Sequence, residues 1–259
     1  MKTYKTYLQQ MKVEKRRILF FQLFILFFLF ILWEICAAKE WIDPLIFSQP
    51  SSILQLMIEK IKDSSLLIHV SITLLETIAS FVIGTGLGIV FSFLLWWFPT
   101  SAKISDPYLV VLNAMPKVAL GPILIVIFGP NYLSIIMMGA LLSIIITTIV
   151  VYRSFLDVDP NYVTVMKTFG ATKWQMFYHC ILKASRMTIV SSLKVNIGLS
   201  WVGVIVGEFL VAKVGLGYMI IYGFQVFHFT LVWLSIICIV ILASVMYQIV
   251  QYCENWLSS

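Results

Sequence analysis

Residues 132–152 read YLSIIMMGALLSIIITTIVVY, a run of 21 positions without a charged side chain. A membrane-spanning helix needs about 20 apolar residues, because each residue adds about 1.5 Å and the hydrocarbon layer is about 30 Å thick. Residues 132–152 are therefore predicted to cross a membrane as one helix.

Five further segments of the same character lie on either side of this run, at residues 18–38, 68–97, 106–128, 187–210 and 229–250. Over the whole chain of 259 residues, 61% are hydrophobic and only 12% are charged, whereas a soluble domain has about 25% charged residues. This composition excludes a soluble domain. The predicted fold is an all-α polytopic bundle of about six transmembrane helices.

The basic residues are unevenly distributed along the chain. Six precede the first apolar segment, six more lie between Arg153 and Lys194, and Lys103 brings this group to thirteen of the eighteen lysines and arginines. Because short basic loops stay in the cytoplasm, both termini and residues 153–186 are predicted to be cytoplasmic. A basic chain can also bind nucleic acid, but the sequence has no soluble basic domain that could do so.

These patterns divide the chain into four regions. Residues 1–17 form a basic cytoplasmic N-terminus, and residues 18–38 form the first transmembrane helix. That helix resembles a secretory signal, but it is longer than the apolar part of one, which is about 7–15 residues. Residues 39–65 are predicted to be an external loop in which residues 53–61 form a serine-capped helix on the membrane surface. Residues 66–256 form the core of the bundle.

Proline and glycine interrupt the third apolar segment. A proline inside a helix removes a backbone donor and kinks the helix, and lipid cannot satisfy the carbonyl groups that this releases. A broken helix is predicted, which either lines a translocation pathway or carries ordinary proline kinks. The interrupting residues are Pro107, Pro116, Gly121, Pro122, Gly129 and Pro130.

The polar stretch 153–186 contains clear helix boundary signals. Asp159 followed by Pro160 predicts the start of a helix, and Gly170 predicts its end. Thr172 and Gln175 have the spacing of a capping box, which predicts a second helix directly after the glycine. A helix, a glycine turn and a helix in one cytoplasmic loop can act as a lever for a soluble partner, because a docked helix moves the spans beside it.

Several motifs, in this order and spacing, resemble the permease subunits of bacterial ATP-binding-cassette importers, and among them the nitrate, sulfonate and taurine subfamily. The cytoplasmic loop of those permeases carries Glu-Ala-Ala, three residues and a glycine. Here Gly170 takes the glycine position, and the triplet reads Thr164-Val165-Met166. The resemblance covers residues 48–255. Its other motifs are Gln49-Pro50-Ser51, Asp106-Pro107, Asn113-Ala114-Met115-Pro116, Asp157-Val158-Asp159-Pro160, Gly198-Leu199-Ser200-Trp201, Gly207-Glu208 and Gly215-Leu216-Gly217-Tyr218.

The resemblance implies a membrane-spanning permease subunit of a type I importer in the bacterial inner membrane. It would be surrounded by lipid and paired with a second copy of itself or, as the less favoured alternative, with a close relative. A cytoplasmic ATPase dimer would bind ATP and Mg and move the loop 153–186. An external substrate-binding lipoprotein would deliver a small anionic or nitrogen- or sulfur-containing solute. The residues implied in ATPase coupling are Thr164, Met166, Lys167, Phe169, Gly170, Ala171, Thr172, Trp174 and Phe177.

Polar residues inside the spans are candidates for the pathway, because a charge in hydrocarbon costs about 2.5–3.5 kcal/mol even on insertion scales. Lys117 either meets an anionic solute or pairs with Glu76 or Glu208. Asn196 and Ser200 share one helix face and either line a cavity or join two helices. By resemblance, Glu208 belongs to the external gate or to the contact with the binding protein. The predicted pathway residues are Asn113, Pro116, Lys117, Asn196, Ser200, Trp201 and Glu208.

The sequence offers little for other kinds of chemistry. It has no G-x-x-x-x-G-K-[ST] phosphate loop, no H-E-x-x-H and no G-x-S-x-G, so no catalytic residue and no bound cofactor are predicted. Three scattered histidines and four unpaired cysteines predict no metal site. The main alternative is a secondary transporter, which would need its own coupling-ion site and often has an inverted repeat. Gly84 and Gly88 are predicted to form a packing face between helices.

Overall fold

The structure is a computed structural model that describes the backbone of residues 2–258 and the side chains of residues 13, 14 and 16–256. Helices occupy nearly all of this part of the chain, and short turns join them. The helices are α1 Lys2–Ala38, α2 Pro44–Phe47, α3 Pro50–Lys62, α4 Ser65–Trp97, α5 Pro99–Ala114, α6 Gly121–Phe128, α7 Tyr132–Leu156, α8 Pro160–Thr168, α9 Lys173–Met176, α10 Leu182–Ala184, α11 Arg186–Val211, α12 Leu216–Gln225 and α13 Phe229–Ser258.

Five of these helices contain a stretch that is long and apolar enough to cross a membrane, in α1, α4, α7, α11 and α13. A sixth crossing is possible where α5 is followed by the 3₁₀ turn Lys117–Leu120 and by α6, a pair that bends by 99°. The predicted all-α polytopic fold is confirmed. The third segment is broken as predicted, but the bend is far sharper than an ordinary proline kink.

The centre of the bundle is formed by α4, α7 and α11, which approach one another through small residues. A Cβ atom on Gly84 would lie 2.7 Å from the Ala140 carbonyl oxygen, and one on Gly88 would lie 2.5 Å from the Thr147 Cβ. The packing face predicted for these two glycines is therefore confirmed. In a membrane, such close backbone contact replaces the hydrophobic driving force that is missing between lipid and apolar side chains.

The segment before α4 differs from the prediction in two ways. Helix α3 does not simply lie on a surface, because Ile53 packs into a buried cluster with Leu216 and Leu234 of the bundle. The expected serine cap is also wrong. Gln49 is the N-cap residue and its side chain makes no capping bond, while the Glu34 carboxylate of α1 accepts hydrogen bonds from the Ser51 N–H (3.0 Å) and hydroxyl (2.7 Å).

Residues 153–186 lie at one end of the bundle, which we call the coupling end. Helices α4 and α7 end there, α11 begins there, and α13 returns there, where Glu254 accepts a hydrogen bond from Ser191 (2.9 Å). Helix α1 finishes at the far end, since Trp33 contacts Trp233 near the start of α13 (5.1 Å between ring centroids).

Candidate functional site

The loop at the coupling end forms the two short helices that its sequence predicts. The Asp159 carboxylate accepts the Asn161 N–H at 2.8 Å and starts α8. Helix α8 ends before Gly170, which has a φ of +72°, and the next residue, Ala171, donates its N–H to the Met166 carbonyl at 3.0 Å. A left-handed residue of this kind is the usual end of a helix and favours glycine.

The second helix begins with a complete capping box. The Thr172 hydroxyl accepts the Gln175 N–H at 3.3 Å, and the Gln175 side chain accepts the Thr172 N–H at 2.8 Å. Both bonds satisfy backbone donors that the first turn of a helix leaves open. The chain then passes through a π-helical turn, Phe177–Ile181. We call residues 159–185 the coupling element.

An aromatic cluster attaches the coupling element to the ends of α4 and α7. Phe177 is buried, and its ring lies 4.7 Å from Phe93, 5.0 Å from Trp96 and 5.4 Å from Phe155, measured between centroids. The prediction grouped Phe177 with residues that contact a partner, but its side chain faces the bundle. It belongs to the attachment of the element and not to the exposed surface.

Lys173 strengthens this attachment. It was not among the residues predicted to take part in ATPase coupling. Its ammonium lies 4.9 Å from the centre of the Trp97 ring and donates a hydrogen bond to the Trp97 carbonyl at the end of α4. A cation is favoured both over an aromatic face and at the C-terminus of a helix. The only sequence signal for this contact is the Trp96-Trp97 pair at the end of α4. Tryptophans in that position are equally typical of the membrane–water interface.

The opposite side of the coupling element is exposed and partly apolar. Phe169 is 83% exposed. Trp174, which the sequence also assigned to ATPase coupling, is 56% exposed but lies at the edge of the aromatic cluster, with its ring 6.1 Å from Phe93 between centroids. Tyr162 and Val165 are also exposed. Of the other predicted coupling residues, Met166 and Ala171 are half-buried, while Thr164, Lys167, Gly170 and Thr172 are exposed. The coupling element therefore carries a rim of exposed apolar and polar side chains.

The predicted pathway residues do not form a single group. Asn113 and Pro116 are exposed at the bend between α5 and the 3₁₀ turn, with Lys117 half-buried beside them. The Lys117 ammonium donates a hydrogen bond to the Asn113 carbonyl at 2.8 Å, where it complements the C-terminus of α5. Among the described side chains it forms no ion pair with Glu76 or Glu208, so the pairing that the sequence allowed is not observed.

Asn196, Ser200 and Trp201 lie inside the packed centre and do not line an open cavity of this chain. The Asn196 amide donates to the hydroxyls of Thr85 (2.9 Å) and Thr147 (2.6 Å). The Ser200 hydroxyl lies 3.1 Å from that of Ser143. Of the two possibilities that the sequence left open for Asn196 and Ser200, the structure therefore supports contacts between helices.

Glu208 lies near the far end of the bundle but has no exposed surface for a gate or an external partner. Its side chain is 1% exposed, and its carboxylate accepts hydrogen bonds from the Thr73 hydroxyl (2.6 Å) and the Gly217 N–H. The motifs that contain Glu208 and Gly217 are therefore parts of one buried arrangement.

A cavity of about 320 Å³ opens between α5 and α7 towards the coupling end. Asn113 is the only predicted pathway residue among its lining side chains, which also include Asp106, Tyr152 and Arg153. A pocket of this size with a few convergent polar groups is typical of a small-molecule site. The sequence analysis did not predict this cavity, because it placed Asp106 only in a motif of the family resemblance and Arg153 only among the basic residues of the cytoplasmic loop.

Apolar helices long enough to span a bilayer, a small-residue core and a capped pair of helices at one end define a polytopic α-helical membrane protein. Residues 84–259 match the family described as binding-protein-dependent transport system inner membrane component. The chain belongs to this family of transporter membrane components, and the predicted membrane location and resemblance to importer permeases are confirmed.

Similar proteins and one solved structure agree with this assignment. The chain is 30% identical to the formylaminopyrimidine transport permease protein ThiX of Halalkalibacterium halodurans over 195 residues, which cover 74% of this chain and 77% of that one. It is 25% identical to the putative aliphatic sulfonates transport permease protein SsuC of Bacillus subtilis, covering 73% and 68%. The fold resembles that in an inward-facing structure of the MetNI methionine ABC transporter, with a TM-score of 0.61, 17% identity, and coverage of 76% and 95%.

Proposed function

We propose that this chain is the permease subunit of an ATP-binding-cassette importer, and that the coupling element docks onto a cytoplasmic ATPase. The observation that carries the proposal is the two-sided construction of this element. Phe177 and Lys173 attach one side to α4 and α7, while Phe169 and its neighbours are exposed on the other. Force applied to the exposed side is therefore transmitted to the transmembrane helices.

In this proposal the coupling element and both termini face the cytoplasm, as the basic residues favour. Two copies of the chain enclose the pathway, and an external substrate-binding lipoprotein delivers the solute. ATP and Mg are bound by the ATPase dimer, whose closure drives the change in access. The names of the relatives, which mention a formylaminopyrimidine and aliphatic sulfonates, support a small anionic or nitrogen- or sulfur-containing solute.

Phe169→Ala is expected to lower the amount of ATPase that co-purifies with the permease about tenfold, a loss of about 1.4 kcal/mol. Large exposed aromatic side chains are frequent hot spots of protein interfaces, and none of the ring contacts in the described part of the chain involves Phe169. The measurement is the ATPase-to-permease ratio after affinity purification of the solubilised complex from cells that express both subunits.

Phe227→Ala is the matched control, since Phe227 is 80% exposed but lies in the turn between α12 and α13, away from the coupling element. It should leave the ATPase-to-permease ratio unchanged. Equal ATPase recovery in the two variants would contradict docking through Phe169. Solute uptake that continues in cells without any ATPase subunit would instead favour a secondary transporter.

Lys117→Ala is expected to reduce uptake of an aliphatic sulfonate into proteoliposomes about tenfold, which corresponds to about 1.4 kcal/mol. The ammonium lies at the bend of the α5–α6 pair and is half-buried, where a charge-assisted hydrogen bond to an anion is strong. Lys117→Arg keeps the charge and should retain most of the uptake. If the alanine variant took up sulfonate as fast as the wild type, Lys117 would not contact the solute. Its only role would then be the hydrogen bond to the Asn113 carbonyl at the end of α5.

A further inference from the structure

Two carboxyl groups face each other inside the membrane-spanning part of the chain. Glu76 of α4 is 3% exposed and Glu208 of α11 is 1% exposed. Thr73, one helical turn before Glu76 on the same face of α4, donates its hydroxyl to the Glu208 carboxylate at 2.6 Å, which places the two acids close together between α4 and α11. Two neighbouring negative charges in a medium of low dielectric repel strongly, and each would also lose its hydration.

Neither acid forms an ion pair with any side chain that the structure describes. The two ion pairs among the described side chains, Lys60–Asp63 and Lys194–Glu254, lie elsewhere. His69 of α4 lies at the same turn, where its Nδ1 is 2.9 Å from the Gly215 nitrogen and 3.1 Å from the Gly215 carbonyl oxygen. This ring nitrogen is therefore engaged by the backbone of the glycine turn.

The two acids have very different surroundings. Glu208 accepts hydrogen bonds from two donors, the Thr73 hydroxyl and the Gly217 N–H. A Cβ atom on Gly215 would lie 2.4 Å from the Glu208 carboxyl carbon, so the glycines of this turn leave just enough space for the carboxylate. These features are those of a site that holds the charged form of a carboxyl group.

Glu76 has no comparable donors. Both of its carboxyl oxygens are buried, and neither is paired with a donor group among the residues that the structure describes. A buried carboxylate without hydrogen bonds is strongly disfavoured, whereas a protonated carboxyl has an O–H to donate. The group that can accept this proton is the Glu208 carboxylate beside it.

We propose that Glu76 is held in its protonated form and donates its proton to the Glu208 carboxylate. The two acids then form one hydrogen-bonded unit with a single negative charge. Since Glu208 also binds the turn 215–218, Glu76 is a positioning residue that holds this turn and the start of α12 against α4. The proposal does not depend on the docking of an ATPase, because every group involved belongs to this chain and lies away from the coupling end.

A bound cation between the two carboxylates is the competing arrangement. The described part of the chain contains no group of three or more histidine, cysteine, aspartate or glutamate side chains suited to a metal ion. The donors around Glu208 also point N–H and O–H groups at the carboxylate, the positions that a cation would need. These observations favour a proton, and not a metal cation, between Glu76 and Glu208.

The test compares amide and truncation variants of both acids in the full chain, purified in lipid nanodiscs. Glu76→Gln replaces the O–H donor with an N–H donor, so its melting temperature is expected to stay within about 2 °C of the wild type. Glu76→Ala and Glu208→Gln are each expected to lower it by about 5–10 °C, since the first leaves Glu208 without its donor and the second places an amide among donors. Glu59→Gln, on the exposed face of α3, is the control.

Infrared spectroscopy provides the signature that a merely structural role would not produce. The wild type should show the C=O stretch of a protonated carboxyl group at neutral pH, and Glu76→Gln should remove it, while Glu59→Gln should not. Absence of this band, or equal destabilisation by Glu76→Gln and Glu76→Ala, would overturn the proposal. A melting temperature that rises with sodium or a divalent cation in the wild type but not in Glu76→Gln would also overturn it and assign a cation site.

Discussion

Gly203→Ala is expected to destabilise the bundle by about 1–3 kcal/mol, as overpacking of a filled core does. A Cβ atom on Gly203 of α11 would lie 2.4 Å from the Gly139 Cα and 2.7 Å from its nitrogen, both backbone atoms of α7. A flexible side chain could move aside, but two helix backbones must separate along their length. That separation would also disturb the Ser143–Ser200 contact on the same faces.

Gly198 provides a matched control on the same helix. A Cβ atom there would meet nothing within 4 Å, and alanine is favoured over glycine inside a helix by about 0.5–1 kcal/mol. Gly198→Ala should therefore be neutral or stabilising, and the two variants should differ in sign. The measurement is the thermal unfolding of each variant in the same detergent. A Gly203→Ala protein as stable as Gly198→Ala would show that α7 and α11 are not packed this closely.

The larger Gly203→Leu change should prevent the recovery of monodisperse protein, because no side chain of that size fits between the two backbones. Gly198→Leu should still be recovered, since Gly198 is exposed on the bundle. Size-exclusion chromatography distinguishes these outcomes. Folded Gly203→Leu protein with an unchanged α7–α11 interface would contradict the packing described here.

Local signals in the sequence predicted structure well. The cap at Asp159, the turn at Gly170 and the capping box at Thr172 each depend on residues within about four positions of one another, and all three are observed. The contact of Gly84 with α7 was also predictable, because small residues four apart favour close helix packing in membranes.

Long-range contacts were not predictable in the same way. The cap of α3 comes from Glu34, 17 residues before Ser51, and no local pattern connects the two. Likewise, the direction of Phe177 depends on Phe93 and Phe155, which belong to two other helices. Prolines predicted that the third segment is broken, but its 99° bend depends on what the two pieces pack against.

The electrostatic partners of the buried acids show the same limit. The sequence left open whether Lys117 meets an anionic solute or pairs with Glu76 or Glu208, since opposite charges inside a membrane usually pair. The Lys117 ammonium instead binds a carbonyl one helical turn away, and Glu208 is surrounded by Thr73 and the glycine turn. The Glu208 carboxylate is therefore satisfied by a hydroxyl group and a backbone N–H, and not by the lysine that the sequence offered as its partner.

Gly170→Val is expected to reduce solute uptake by the assembled transporter more than tenfold while the chain still inserts and folds. A β-branched residue at a φ of +72° is strained by about 1–2 kcal/mol, because its Cβ approaches the following carbonyl oxygen. The turn relieves this strain by changing its backbone angles, which rotates α8 and Phe169 away from α9 and the aromatic cluster. A docked partner would then push on an element that no longer moves α4 and α7 together.

The open surroundings of Gly170 make this test specific. A Cβ atom there would meet nothing within 4 Å, so a loss of uptake cannot come from a clash. Asparagine tolerates the left-handed conformation, and Gly170→Asn should therefore keep most of the uptake although it is as bulky as valine. Uptake and binding-protein-stimulated ATP hydrolysis are measured in proteoliposomes, with circular dichroism as the check on folding. If Gly170→Asn failed as completely as Gly170→Val, the size of the side chain and not the backbone conformation would decide the effect, and the rigid-lever role of the coupling element would be lost.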